Sequence, residues 1–317
     1  MSSPAFDLTL AWDDLKPRDW VRAQSTDAGP AVLEQSWGYG QAIAVASRYR
    51  VRRATVRRGR EVVAIAQIFQ RRFGPLKLVR QMRGPHFAVT ADAALRDACF
   101  ALLARQFTWR RAEAHFWTPE LADGRDAQTL MAGLGKRPML TGYATAWLDL
   151  GQDVAALRAG LDHGFRYALK KAEAGRLKID VGHGGGNLDW LLAEHDAHRR
   201  RRRLIAPSGT LARTITAALP SPRDTLILQA MEGSTPVAGL MFLRHGNAAT
   251  YYISVTTPQG RKSHAHHLLM WRALLALRDQ GVRWIDLGGL NTDTMPGVAG
   301  FKLGLGGRLF TLAGTFL

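Results

Sequence analysis

Chemistry in this chain concentrates near its carboxyl end, in the run GVRWIDLGGLNTDTMPGVAGFKLGLGG from Gly281 to Gly307. Val282, Trp284, Ile285 and Leu287 form a short apolar stretch bounded by Gly281 and the Gly288-Gly289 pair, the pattern of a buried strand leaving an enclosed sheet. Asp286 sits inside that stretch, and a loop with Asn291, Thr292, Asp293, Thr294 and Pro296 follows. Lys302 then stands alone among apolar and glycine neighbours, directly after Phe301. A lysine so placed either snorkels outward along its stem or meets an anion near the packed interior. Asp286 beside two glycines either caps the loop or orients a reacting group.

Other constellations exclude chemistry. No GxGxxG follows a strand and no GxxxxGK[ST] occurs, so nucleotide cradles of those types are absent, and Gly184-Gly185-Gly186 reads as a loop. There is no GxSxG serine elbow. His264, His266 and His267 cluster, with His245 as a further candidate, but the spacing lacks the i, i+4 pair that a helical zinc site needs. No metal and no resident cofactor is expected. The single cysteine, Cys99, lies in an apolar stretch and reads as a small buried hydrophobe.

The elements that must carry these residues divide the 317-residue chain into two α/β domains, expected at 1–150 and 151–317 with the boundary at Gly151. In the first, Ala31 to Gly40 reads as a helix running into a loop. Arg50–Arg58 and Glu61–Gln70 form a hairpin, Ala93–Gln106 a helix, and His115–Trp117 and Ala144–Leu150 strands. In the second, Val154, Leu157, Leu161, Phe165, Ala168, Leu169 and Ala172 follow helical spacing behind an Asp153 cap. The opposite face of that helix carries Arg158, Arg166, Lys170 and Lys171. A helix over Leu188–Arg203 ends in five arginines, three strands span Thr225–Glu232, Val237–His245 and Ala248–Thr256, and an apolar helix covers His264–Gln280. Tyr251 and Tyr252 alternate faces of their strand, so at most one reaches a site.

With 43 basic against 26 acidic residues, the formal net charge is +17 and the chain attracts polyanions: nucleic acid, nucleotides or an anionic membrane surface touched peripherally. No apolar run approaches the 18 or so residues of a membrane span, and no basic-then-apolar leader is visible at the start, so the expected location is the cytoplasm.

The stretch TPVAGLMFLRHGNAATYYISVTTPQGRKSHAHHLLMWRALLALRDQGVRWIDLGGL, followed by GVAGFKLGLGG, resembles the C-terminal domain of the FemABX family. The early Gln35 and Trp37, the basic helix FRYALKKAEAG, and the DLGG and FK motifs extend that resemblance through nearly the whole chain. The family implies two tandem GNAT-like domains with mixed central sheets, and transfer of an amino acid from aminoacyl-tRNA to an amine. Implied at the transfer site are Lys302, Tyr252 and Asp286, with Phe301 beside them. Trp37, Tyr39, Gln41 and Arg203 fall where the family contacts its acceptor, and Arg166, Lys170, Lys171, Arg261 and Lys262 are candidates for tRNA phosphates. Members acting on cell-wall precursors carry a lysine just after the early aromatic. Here Tyr39 and Gln41 stand nearby, so the implied acceptor is either a peptidoglycan precursor or a small-molecule or peptide amine.

Two alternatives stay open. An acyl-CoA-dependent N-acyltransferase of GNAT fold needs a pyrophosphate loop around Thr257–His264, where Arg261, Lys262 and a helix start offer an anion site but the glycine-rich form is missing. A non-catalytic RNA-binding protein rests on charge alone.

Overall fold

The computed structural model describes residues 6–108, 112–204, 206–290 and 295–317. Its contacts divide the chain into two compact units, each discontinuous in sequence: Met1–Ala144 with His245–Asn247 and Phe310–Leu317, and Thr145–Arg244 with Ala248–Leu309. Gly151 follows the first strand of the second sheet, so the expected boundary falls just inside the second unit.

The first unit opens with strand β1 (Leu8–Trp12) and helix α1 (Pro17–Gln24), a 3-10 turn at Leu33–Gln35, and α2 (Trp37–Ala46). The helix–loop expected over Ala31–Gly40 is reversed: Ser36 accepts a hydrogen bond from the Tyr39 amide and starts α2 where the sequence predicts a loop. The hairpin β2 (Arg50–Arg58) and β3 (Glu61–Phe73) forms as expected, turning at Gly59 with φ +59°. After it come β4 (Leu76–Met82), β5 (His86–Phe87), α3 (Ala93–Ala104), β6 (Glu113–Thr118), α4 (Arg125–Gly133) and β7 (Pro138–Leu140). The sheet runs β1-β2-β3-β4-β6, then the last strand of the chain (Thr315–Phe316), then β7. β4 and β6 are parallel through the α3 crossover, with Val79 opposite His115. Phe100 of α3 stacks on Trp117 of β6 at 5.0 Å between ring centroids, closing the core beneath.

The second unit begins with β8 (Ala144–Asp149). The single helix expected from Val154 to Ala172 is two, α5 (Val154–Ala159) and α6 (His163–Glu173). Asp153 caps the first as expected, but Asp162 accepts from the Phe165 amide and caps a second, turning the chain at Gly160–Asp162. Then come β9 (Lys178–Gly182), α7 (Gly185–Arg202), α8 (Gly209–Ala218), β10 (Thr225–Glu232), β11 (Thr235–His245) and β12 (Ala248–Thr256). Gly185 and Gly186 thus belong to the first turn of α7 rather than to a loop. The unit ends with α9 (Pro258–Lys262), α10 (Ala265–Asp279), β13 (Trp284–Asp286), α11 (Pro296–Leu303) and β14 (Arg308–Thr311), and β15 is the Thr315–Phe316 strand of the first sheet.

The second sheet has the order β14-β8-β13-β12-β11-β10-β9. Leu268, Leu269, Trp271, Leu274 and Leu277 of α10 are buried with Leu169 of α6 and Leu228 and Leu240 of the sheet. Each such side chain contributes ~1.5–3 kcal/mol by leaving water, which fixes α10 firmly enough to position what its first turn carries. Among the described residues no helix is long and apolar enough to cross a membrane.

Candidate active site

The site arises where two parallel strands part. β12 and β13 pair in parallel for three positions, Ala248–Trp284, Ala249–Ile285 and Thr250–Asp286. Beyond Thr250, β12 runs on to Thr256, whereas the other chain segment leaves its strand after Asp286. The crossover between them is α9 and α10, so a crevice opens at the carboxyl ends of the strands, the usual ligand position in such sheets.

Asp286 holds that parting. Its carboxylate, 1% exposed, accepts from the Thr145 hydroxyl at 2.5 Å and from the Gly288 amide at 2.8 Å. Gly288 turns the chain with φ +70°, and a Cβ there would lie 3.2 Å from the Tyr251 carbonyl and 3.6 Å from Lys302 Nζ. Only glycine satisfies both the left-handed backbone and the close approach.

Lys302 comes from α11, which Pro296 starts at its first turn. Its Nζ donates to the Gly289 carbonyl at 2.8 Å and lies 5.6 Å over the Tyr251 ring. The residue is 8% exposed, far from a snorkelling surface lysine. Burial lowers its pKa from the ordinary 10.5 to about 8, and the nearby Asp286 charge opposes that fall.

Tyr251 neighbours this cation and also lines an open cleft of about 560 Å3. Its hydroxyl donates to Ser254 Oγ at 2.5 Å and meets His266 Nε2 at 2.7 Å. The three groups, all lining the cleft, form a hydrogen-bonded chain centred on Tyr251 along which a proton can pass. Burial pushes the Tyr251 phenol well above its usual range and lowers His266 to about 3, so both are neutral at physiological pH. Phe301 closes one wall, its ring 5.3 Å from Phe165, 4.9 Å from His266 and 5.1 Å from His267. The volume and the mixture of aromatic walls with a few converging polar groups are those of a small-molecule site.

The second unit therefore brings together Lys302, Asp286 and Phe301. Lys302 does not itself line the cleft, but its neighbours Tyr251 and Phe301 do. Tyr252, half-buried, is on the other face of β12, and Tyr251 is the tyrosine at the cleft. Arg261 reaches the cleft rim while donating to the Thr256 carbonyl at 2.9 Å. Arg166 directs Nη1 to the carbonyls of Ala159 and Leu161, bracing the α5–α6 turn, and Lys170 is exposed. Arg203 is the exposed left-handed residue that ends α7.

Trp37, Tyr39 and Gln41 belong to the first unit. There Trp37 lies under the Arg53 guanidinium at 3.6 Å, Tyr39 packs edge-on against Phe69 at 6.1 Å, and Gln41 is exposed on α2. Gln35 is internal, donating to the carbonyls of Gln67 and Met82 and accepting from the Gln67 amide. Asn291, Thr292, Asp293 and Thr294 lie outside the described residues.

Ser254 and His266 are not among the residues the sequence singles out for catalysis. The one trace is the histidine cluster, whose spacing argues against a metal and so against any role. Nothing in one sequence says that a phenol from a neighbouring strand reaches His266.

The family model for the GNAT acetyltransferase domain matches residues 160–303. The fold is similar to the crystal structure of FemX, with TM-score 0.81, 15% identity and 96% of each chain covered. It is also similar to a tandem GNAT protein from the clavulanic acid biosynthesis pathway, with TM-score 0.56, 14% identity and 98% of each chain covered. A further similarity is to the C-terminal domain of a putative lysylphosphatidylglycerol synthetase from Agrobacterium fabrum, with TM-score 0.54, 12% identity, and 95% of this chain and 91% of that one covered. No curated protein matches. Two mixed sheets, a match to the GNAT domain model over residues 160–303 and a fold similar to that of FemX give the chain a tandem GNAT-like architecture.

Proposed function

We propose that the second unit transfers an amino acid from aminoacyl-tRNA to an amine, forming an amide. The observation that carries this reading is the buried ammonium of Lys302, held on the Gly289 carbonyl and over the ring of Tyr251, the central member of the neutral His266–Tyr251–Ser254 chain. An aminoacyl ester is already activated, so the reaction needs alignment and charge stabilisation rather than a covalent nucleophile. The acceptor nitrogen attacks the ester carbonyl, the C–N bond forms and the bond to the ribose oxygen breaks. The proton lost by the amine ends on the ribose oxygen. Tyr251 and its two partners supply a path for that proton, while the Lys302 charge, 5.6 Å from the Tyr251 ring, stabilises the developing oxyanion. Asp286 acts on the geometry, by fixing the Gly288 turn on which Lys302 rests.

An acyl-CoA donor is the second reading, supported by the GNAT domain match. Against it stands the segment where a pyrophosphate loop belongs. That segment is wound into α9, with the amides of Gly260, Arg261, Ser263 and His264 already bonded to Thr257, Gln259 and Arg261. A Cβ at Gly260 would lie 2.2 Å from the Val237 carbonyl, so α9 is pressed onto β11.

The test is to incubate the protein in parallel with labelled aminoacyl-tRNAs and with acetyl-CoA, each with a panel of amines. Amine-dependent loss of the tRNA ester is expected. Consumption of acetyl-CoA alone would replace this reading with the second one.

A further inference from the structure

Six rings line the cleft: Phe165 of α6, Tyr251 of β12, His264, His266 and His267 at the start of α10, and Phe301 of α11. They touch in an unbroken series. His264 meets His267 at 5.8 Å between centroids, His267 meets Phe165 at 4.8 Å, and His266 meets Tyr251 at 6.1 Å, with Phe301 in contact with three of them. Burial holds the His266 and His267 imidazoles neutral, at about 3 and about 4. The one acid and the one arginine described in the lining are exposed and already engaged. Asp162 accepts from the Phe165 amide, and Arg261 donates to the Thr256 carbonyl. Lys171 and Lys262 line a separate cleft that shares only His264 with this one.

The wall that α11 contributes carries a second observation. Gly297 and Gly300 line the cleft, neither has a positive φ, and a Cβ at either would meet no atom of the described residues within 4 Å. Gly304 differs, since a Cβ there would lie 2.8 Å from Asp162 Oδ2. Glycine is the poorest helix former after proline, so two glycines in an eight-residue helix weaken it with no backbone or packing cause. What their missing methyl groups leave is room in the cleft, facing neutral rings.

We propose that this cleft seats a large uncharged side chain, aromatic by preference, of one of the two reacting molecules, packed against Phe165 and Phe301 and over Gly297 and Gly300. The proposal rests on the aminoacyl-tRNA reading above. The transferred amino acid and the acceptor amine are the two sources of such a side chain. A charged one would shed its water against neutral rings with no counter-charge beside it. A small one would leave the cleft unfilled, and each missing methylene in an apolar pocket is worth about 10–200-fold in discrimination.

The experiment measures kcat/KM in two series with the full-length protein. One varies the donor, with tRNA carrying phenylalanine, leucine, alanine, lysine or glutamate and one small amine. The other fixes the donor and varies the amine from ethylamine to phenethylamine. In one of the series the aromatic member is expected to exceed the small one by about 10²-fold, and the series that shows it identifies which molecule carries the ring. In the donor series lysine and glutamate should fall at or below alanine. Gly300→Ala should melt no lower than wild type, because it favours the helix, and Gly300→Val should narrow the cleft further. Both should lower the aromatic-to-small ratio, the valine variant by about tenfold or more.

Aromatic and small members within twofold of each other in both series, while transfer persists, overturn the proposal and leave the reaction intact. So does a preference for lysine or glutamate, or a ratio unchanged in Gly300→Val. If no aminoacyl-tRNA reacts, calorimetry with the methyl esters of phenylalanine, alanine and lysine tests the cleft by itself. Phenylalanine ester binding about tenfold tighter than the others, and weakened in Gly300→Val, keeps the cleft and removes the tRNA reading. Equal binding of the three removes both.

Discussion

Lys302 and Tyr251 show how a residue's surroundings decide its work. An ammonium that is 8% exposed has lost most of its water, and one carbonyl at 2.8 Å with a nearby carboxylate does not fully replace it. The result is a folded pKa of about 8 against an ordinary value of 10.5. Between those pH values the unfolded chain still holds the proton that the folded chain has released, so raising the pH favours folding. The burial penalty is complete below pH 8 and fades toward pH 10.5. Thermal melts of wild type and Lys302→Met from about pH 7 to above pH 10 should therefore show wild type gaining stability relative to the variant as pH rises. A constant difference would mean that the ammonium titrates normally. Lys302 and Asp286 were legible in the sequence because a lone charge in an apolar, glycine-rich run is costly to bury without a partner or a role. The choice between Tyr251 and Tyr252 was not legible, since alternation says that the two differ and not which faces the cleft.

At the scale of elements, the periodic segments were readable and the breaks were not. The hairpin of β2 and β3, helices α3, α7 and α10, and strands β10 to β12 stand close to where their apolar content and flanking turn residues place them. The pattern from Val154 to Ala172 is equally regular, yet Asp162 caps a new helix in its midst, because a local side-chain bond outweighs a continuous period. Helix α11 was hidden by its glycines, which lower helix propensity although Pro296 is well suited to a first turn. The parting of β12 from β13 depends on one glycine with positive φ. Gly288→Ala should destabilise the protein by about 1–2 kcal/mol from the left-handed backbone alone. It should also cut transfer more than stability explains, since the new methyl group would press on the Tyr251 carbonyl, whose ring and hydroxyl belong to the site. Melting and kcat measured together check this, and an alanine variant with wild-type values for both would show that the turn is not needed.

For the molecule as a whole, an α/β class followed from the alternation of elements, and the tandem GNAT-like plan from the family resemblance that the DLGG and FK motifs carry. The units are interleaved in sequence, with His245–Asn247 and Phe310–Leu317 counted in the first. No composition shift marks such exchanges, which is why the sequence suggests a single boundary at Gly151. The net charge of +17 indicated a polyanionic partner but not where it binds, because charge summed over a chain carries no position. Whether Lys302 and Tyr251 form the transfer site is decided by single-turnover amide formation from labelled aminoacyl-tRNA. Lys302→Met and Tyr251→Phe should each slow the step about 10²-fold or more, within the range for lost charge stabilisation and proton transfer, with donor affinity retained and Tyr252→Phe near wild type. Wild-type rates in the first two variants would contradict it.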